Sequence, residues 1–363
     1  MENRRSFIKK SAMAAAAVCL SEIGSNAAPT ALEGFGKANR NSHSNLIVPK
    51  GDALPITGTF LDEISHDIPH QNWGEAEWDR DFRYMKEMGI DTVIDIRCGY
   101  KKFMTYPSPY LLKQGGYMPS VDLIDLFCRL SQKYGMTYYH GLYDCGSRNS
   151  VDQVEPNKYI IEEVWERYGS KYDSFGGWYI SHELGRYLDG AIGAFQTMGK
   201  QCKDISKSAK HPKGLPTFIS PWIDGKKAVS AAKAEVHRDE GVSVDDHRTK
   251  WNTIFDGIHE YVDACAFQDG HIDYDELDAF FTVNKQLCDK YGIQCWTNAE
   301  SFDRDMPIKF FPIKFDKLRL KLEAAKRCSY DKAITFEFSH FMSPQSAYLQ
   351  AGHLYDRYKE YFG

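Results

Sequence analysis

The sequence predicts an α/β protein, a single-domain (β/α)8 TIM barrel. Three observations carry this expectation. From residue 56 onward, short apolar runs alternate with longer amphipathic ones, and eight such pairs follow without a break. Alternation of that kind and number implies a parallel sheet closed on itself. The segment concerned, assigned to residues 51–363, is roughly 310 residues long, ordinary for a β/α barrel. Finally, no G-x-G-x-x-G follows the first strand, which removes support from an open dinucleotide-binding sheet.

The elements follow in order. Strand one spans 56–64 and carries GTFLDEI. Helix one covers 73–88, where Trp78, Phe82 and Met85 fall three and four apart and Gly89 ends the run. Strand two is 92–97, followed by a loop rich in Tyr, Gly and Pro to Pro119. Helix two covers 121–134, capped by Ser120 and stopped by Gly135. Strand three is 137–143, ahead of Asp144, and helix three is 157–168. Strand four lies in GGWYISHELG, residues 176–185, with Trp178, Tyr179 and Ile180 as its buried core. Helix four covers 191–208. Strand five, 216–223, ends in Pro221-Trp222. Charged residues with few aromatics fill 224–246 and read as a peripheral insertion. Helix five is 247–261, and strand six, 263–267, precedes Gln268-Asp269-Gly270. Helix six covers 274–291 and stops at Gly292. Strand seven, 294–298, lies in QCWTNAESF, and a loop rich in Pro and Phe leads to helix seven, 315–328. Strand eight is 333–338, and helix eight, 347–361, completes the series.

The front of the chain reads differently. Residues 1–28 begin with Arg4-Arg5-Ser6-Phe7-Ile8-Lys9-Lys10 and continue Ala-rich through Cys19, with small residues Ser25-Asn26-Ala27 as a cleavage site. A positive start followed by a short apolar run is an export signal, and the paired arginines resemble the twin-arginine type. The apolar run is too short to span a membrane. Lipoprotein processing at Cys19 is the lesser reading, since Val18 is bulkier than that processing usually accepts. Residues 29–50, rich in Ala, Ser and Asn, read as a linker. The expected location is the periplasm or cell envelope.

Composition narrows the function. The net charge is −5 with mixed signs, which argues against nucleic acid as a partner. Aromatic residues make up 14%, enough to serve both a core and stacking on sugar faces. The nine cysteines form no C-x-x-C or other zinc spacing, and most are expected as free, buried thiols.

In a β/α barrel, chemistry sits at the C-terminal ends of the strands. Polar residues there are Asp62 and Glu63, Arg97, His140 and Asp144, His182 and Glu183, Trp222 and Asp224, Gln268 and Asp269, Asn298 and Glu300, Glu337 and His340. Each taken alone is more often a cap or a solvated side chain. Their convergence from every strand is harder to explain that way. Glu183 and Glu300 are the expected catalytic pair, because two carboxylates in unlike surroundings can serve as acid and nucleophile. His182, Trp222, Gln268, Trp296, Asn298, Asp62, Glu63, Glu337 and His140 are the expected substrate contacts, with Trp178 supporting the sugar site.

A Glu at the end of strand four and another at the end of strand seven resembles the arrangement of clan A glycoside hydrolases. That resemblance implies an acid/base role for Glu183 and a nucleophile role for Glu300. More narrowly, GWYISHE, AFQDG and CWTNAESF resemble a bacterial family of exported, glycosidase-like barrels with no assigned function. One departure stands out. The clan usually has Asn before the acid/base Glu, where this chain has His182. The expected function is therefore a retaining glycoside hydrolase acting on a carbohydrate, without cofactor. A carbohydrate-binding barrel without catalysis is the alternative. A metal-dependent hydrolase using Asp62, Glu63, His140 and His182 is a third, weakened by the absence of H-x-H and H-E-x-x-H.

Overall fold

Eight parallel strands close on themselves in the computed structural model, which describes residues 52–65, 68–185, 189–227, 229–230, 233–236, 241–303 and 310–363. The expected export signal and linker, residues 1–28 and 29–50, lie outside these. The strands are β1 Ile56–Leu61, β2 Thr92–Asp95, β3 Thr137–Gly141, β4 Phe175–Tyr179, β5 Thr217–Ile219, β6 Ala264–Gln268, β7 Gln294–Asn298 and β8 Lys332–Thr335. Each pairs with its neighbours in sequence, and β8 pairs with β1. Helices α1 Glu75–Met88, α2 Leu123–Tyr134, α3 Val154–Val164, α4 Ala191–Ile205, α5 Val244–Ile258, α6 Leu277–Tyr291, α7 Phe315–Arg327 and α8 Leu349–Phe362 alternate with them. The chain is thus a (β/α)8 barrel. Among the described residues no helix is long and apolar enough to cross a membrane.

One local device recurs. Gly89, Gly135 and Gly292 end α1, α2 and α6 in the left-handed conformation, with φ of 95°, 63° and 68°. The next residue, Ile90, Met136 or Ile293, turns its backbone N–H back onto the helix and is itself buried. This closure pins the last carbonyls and starts the chain toward the next strand.

Period-two alternation divides each strand between two cores. Phe60, Ile94, Ile96, Tyr179, Phe218, Ala266, Trp296 and Ile334 face inward and fill the barrel. Tyr179 stacks on Phe218 at 4.7 Å and meets Phe60 edge-on at 5.1 Å. Val93, Tyr138, Trp178 and Cys265 face outward against the helices. The eight described cysteines are free, six of them buried.

Several boundaries differ from expectation for local reasons. α2 is capped by Asp122, whose Oδ1 accepts from the Asp125 N–H at 3.1 Å, not by Ser120. α3 starts three residues earlier than expected and passes into a wider turn over Trp165–Gly169. Ser243 caps α5, which therefore begins at Val244 instead of His247. Strands one, two, three, five and eight stop short of the expected ends, because those last residues leave the sheet to form the rim. Of the insertion expected at 224–246, residues 228, 231–232 and 237–240 lie outside the described residues; 229–230 pair with 233–236, and 244–246 already belong to α5.

Candidate active site

A cavity of about 280 Å³ opens among the C-terminal ends of the strands. Arg97, Glu183, Trp222, Gln268, Asn298 and Glu300 line it, together with His271, Ser65, Ile68, Ile96, Phe302, Phe310 and Phe336. Both expected catalytic glutamates thus face one space. They come from β4 and β7, which are separated by two strands on one side of the ring and four on the other.

Glu183 follows β4 by four residues. The buried Tyr179 hydroxyl donates to its Oε1 at 3.3 Å. Burial pushes the Glu183 carboxyl above its usual range, while the Arg97 charge and hydrogen bonds from Gln268 and Tyr179 pull the other way. Burial prevails, so the site favours a protonated Glu183 more than water does. Arg97 is itself held by Asp144 at 3.1 Å. That pair bridges the ends of β2 and β3.

Glu300 is fixed through its backbone. Its N–H donates to Asp269 Oδ1 at 3.2 Å, and its carbonyl accepts from Lys321 Nζ at 3.0 Å. Lys321 and Asp269 also pair directly, at 2.8 Å, with side chains 6% and 0% exposed. Lys321 belongs to α7, so a buried ion pair ties the helix layer to the rim at the residue of interest. Below Glu300, Asn298 donates to Ser220 Oγ at 3.3 Å, and Gln268 donates to the Ser220 carbonyl at 2.6 Å.

Trp222 forms the wall between β5 and β6. Its Nε1 donates to Asp224 at 3.1 Å, and its ring lies 6.1 Å from that of His271. Gly185 packs directly against the indole: a Cβ there would fall 1.9 Å from Nε1. The glycine ending GGWYISHELG is therefore required by the position of Trp222.

Other expected contacts lie elsewhere. Trp296 faces inward but sits four residues before Glu300, about 13 Å lower at strand rise. It packs in the barrel floor, where Lys332 lies 5.7 Å over its ring. Trp178 and His140 share the outward parity of Tyr138 and pack against Phe175 in the helix layer. Burial there drives the His140 pKa down to about 3. His182 engages Ser150 Oγ at 2.8 Å through Nε2 and packs near Phe195, away from the cavity lining. Glu337 caps the short helix Phe338–Phe341 by accepting from the Ser339 and His340 N–H groups, and it pairs with the His340 ring. Asp62 accepts from the Ile64 and Ser65 N–H groups, and Glu63 from that of Gln71. These two shape the loop after β1 that carries Ser65 and Ile68. Burial raises the Glu63 carboxyl to about 7. Asp62, Glu63, His140 and His182 do not converge, and among the described residues no group of three or more His, Cys, Asp or Glu is placed to hold a metal.

The cavity also contains residues that sequence reasoning left unassigned. Arg97 stood among the strand-end polar residues, but its partner Asp144 is 47 positions away. Phe336 has a signal in hindsight: it continues the inward parity of Ile334. Phe302 lies inside QCWTNAESF. His271, Ile68 and Phe310 come from loops and carry none.

Residues 56–348 match a family described as Domain of unknown function (DUF4434). The match spans GWYISHE, AFQDG and CWTNAESF, and the resemblance they carry, to barrels without assigned function, holds. No curated protein matches the sequence. Among solved structures, a protein from Bacteroides thetaiotaomicron VPI-5482 described as a putative alpha-L-fucosidase is 72% identical, with a TM-score of 0.83, over 87% of this chain and 98% of that one. An endo-1,4-beta-D-mannanase from Thermotoga petrophila RKU-1 has a TM-score of 0.51 at 10% identity, over 78% of this chain and 88% of that one, a likeness of fold alone.

Proposed function

The chain belongs to the DUF4434 family, and on that premise we propose that it is a retaining glycoside hydrolase with Glu183 as acid/base and Glu300 as nucleophile. The observation that carries this reading is the single cavity lined by both carboxylates at the C-terminal rim of the barrel. The description of the 72% identical chain as a putative alpha-L-fucosidase agrees with the same class of reaction.

In the first half of the reaction, Glu300 attacks the anomeric carbon and the bond from that carbon to the leaving oxygen breaks. The Glu183 proton passes to the leaving oxygen. In the second half, the Glu183 carboxylate takes a proton from water, the water oxygen bonds to the anomeric carbon, and Glu300 is released. Retention requires carboxyl groups about 5–5.5 Å apart. Burial suits Glu183 to carry its proton at the start. Arg97, close to Glu183, suits the ionised form that follows, so the opposed influences on this carboxyl serve opposite halves of the cycle. His182 is not given a role in binding the sugar, because its Nε2 is engaged by Ser150 and it lies outside the cavity lining.

A panel of aryl glycosides tests the reading. E183Q should spare substrates with good leaving groups, because they need little protonation, whereas E300Q should lose all of them. Glycan binding without turnover, unchanged in both variants, is the outcome of a binding-only barrel and contradicts the proposal. Independently of the chemistry, residues 1–28 support a proposal that the chain is exported to the periplasm or envelope. Exchange of Arg4 and Arg5 for Lys should then hold precursor in the cytosol, and undiminished export would refute a twin-arginine signal.

A further inference from the structure

The cavity lining is of two kinds. Arg97, Glu183, Gln268, Asn298 and Glu300 are polar or charged. Ile68, Phe302, Phe310 and Phe336 are apolar and belong to one packed cluster. The three rings do not lie flat. Phe302 meets Phe310 at 62° with centroids 4.8 Å apart, and Phe336 at 85° with centroids 6.0 Å apart. Rings at such angles form a corner and not a platform. The flat apolar face of a sugar stacks on one exposed ring, and the Trp222 indole offers that surface. A corner closed by Ile68 fits a compact apolar group such as a methyl.

Polarity points the same way. The four side chains of the corner carry no donor or acceptor. A hydroxyl entering it gives up water and gains no partner from them. The polar lining residues are Arg97, Gln268 and Asn298, whose amide N–H groups and guanidinium can bond ring hydroxyls; Asn298 also gives an amide N–H to Ser220. The volume, about 280 Å³, falls just below the usual range of ligand pockets, roughly 300–1,000 Å³, and suits a ligand no larger than one sugar ring.

We propose that the site selects 6-deoxyhexopyranosides, with the C5 methyl in the corner of Ile68, Phe302, Phe310 and Phe336 and the ring hydroxyls on Arg97, Gln268 and Asn298; this rests on the glycoside-hydrolase reading above. An apolar pocket rejects an added hydroxyl only modestly, so the preference is about 10- to 100-fold.

The test uses p-nitrophenyl glycosides matched except at C6: α-L-fucoside against α-L-galactoside, α-L-rhamnoside against α-L-mannoside, and β-D-quinovoside against β-D-glucoside. In any pair turned over, kcat/KM should favour the 6-deoxy member by that factor. Where no pair is turned over, the ratio is read from dissociation constants of the free sugars. F336Y puts a hydroxyl into the corner and should narrow the ratio about tenfold, with F302Y as the second variant should F336Y fail to fold. Ratios within about twofold, or ratios unchanged in both tyrosine variants, overturn the selection and leave the hydrolase standing. No turnover of any pair and no binding of any free sugar overturns both.

Discussion

Replacing Lys321 by Met should show how the helix layer holds the rim. Lys321 Nζ lies 2.8 Å from Asp269 Oδ1 and 3.0 Å from the Glu300 carbonyl, in a site where neither side chain meets appreciable water. Methionine keeps most of the side-chain volume but removes the cation that offsets a buried carboxylate. Breaking a buried pair from one side costs about 3–5 kcal/mol. For a domain of this size that corresponds to a loss of about 6–10 °C in Tm. Activity should fall as well, because the Glu300 carbonyl loses its donor and the backbone bearing the carboxylate is no longer held on both sides. The partner change D269N keeps an oxygen for the Glu300 N–H and removes the charge. Combined with K321M, it should restore roughly 1–3 kcal/mol relative to the sum of the single effects. Chemical denaturation of the four proteins measures this. A K321M loss below about 1 kcal/mol, or strict additivity of the two changes, would refute the clamp.

Three further outcomes are expected. G185A forces a Cβ into the Trp222 indole, which can move only by giving up its bond to Asp224; overpacking of this kind costs about 1–3 kcal/mol, and substrate KM should rise while kcat changes less. An unchanged KM would mean that Trp222 does not contact substrate. R97M removes the charge that lowers the Glu183 pKa, so the alkaline limb of the kcat/KM profile should move to higher pH; a downward shift contradicts the acid role. Burial holds His247 at about 4 against about 6.5 in the unfolded chain. Its stabilising effect is therefore full above the unfolded pKa and is lost as pH falls toward 4, amounting to about 3 kcal/mol. The loss of stability between pH 7 and pH 4, read by urea unfolding, should be smaller in H247Q than in the wild type by about that amount; an equal loss in both proteins would sink it.

Much of this architecture was legible because local signals agreed. Gly89-Ile90, Gly135-Met136 and Gly292-Ile293 mark both a helix stop and the start of the next strand, and all three serve as such. Placement of the two glutamates at the strand ends needed only the alternation of elements. Which side chains point inward was not legible. Strands of a parallel barrel are buried on both faces, so apolar residues occupy both parities and the sequence does not distinguish them. Trp178 and His140 were thus assigned to the site although they face the helices, and Trp296 although it lies in the floor. His182 and Glu337 lie outside the cavity lining because each is drawn to a partner within the fold. Ser150 is 32 positions from His182. The pairing of Glu337 with His340, three apart on a helical turn, could have been read locally. The apolar corner escaped notice because its residues come from three separate rim segments.

The most direct test of the central claim is the mass of the protein after reaction with a 2-deoxy-2-fluoro glycoside bearing a good leaving group. The sugar should match the best substrate of the aryl glycoside panel. The fluorine slows both steps, and the leaving group lets the first proceed, so a covalent intermediate accumulates. The intact protein should gain one glycosyl unit, and peptide mapping should find it on Glu300, with E183Q labelled as well. Label on another residue, or turnover of the parent glycoside with inversion at the anomeric carbon, would contradict the account.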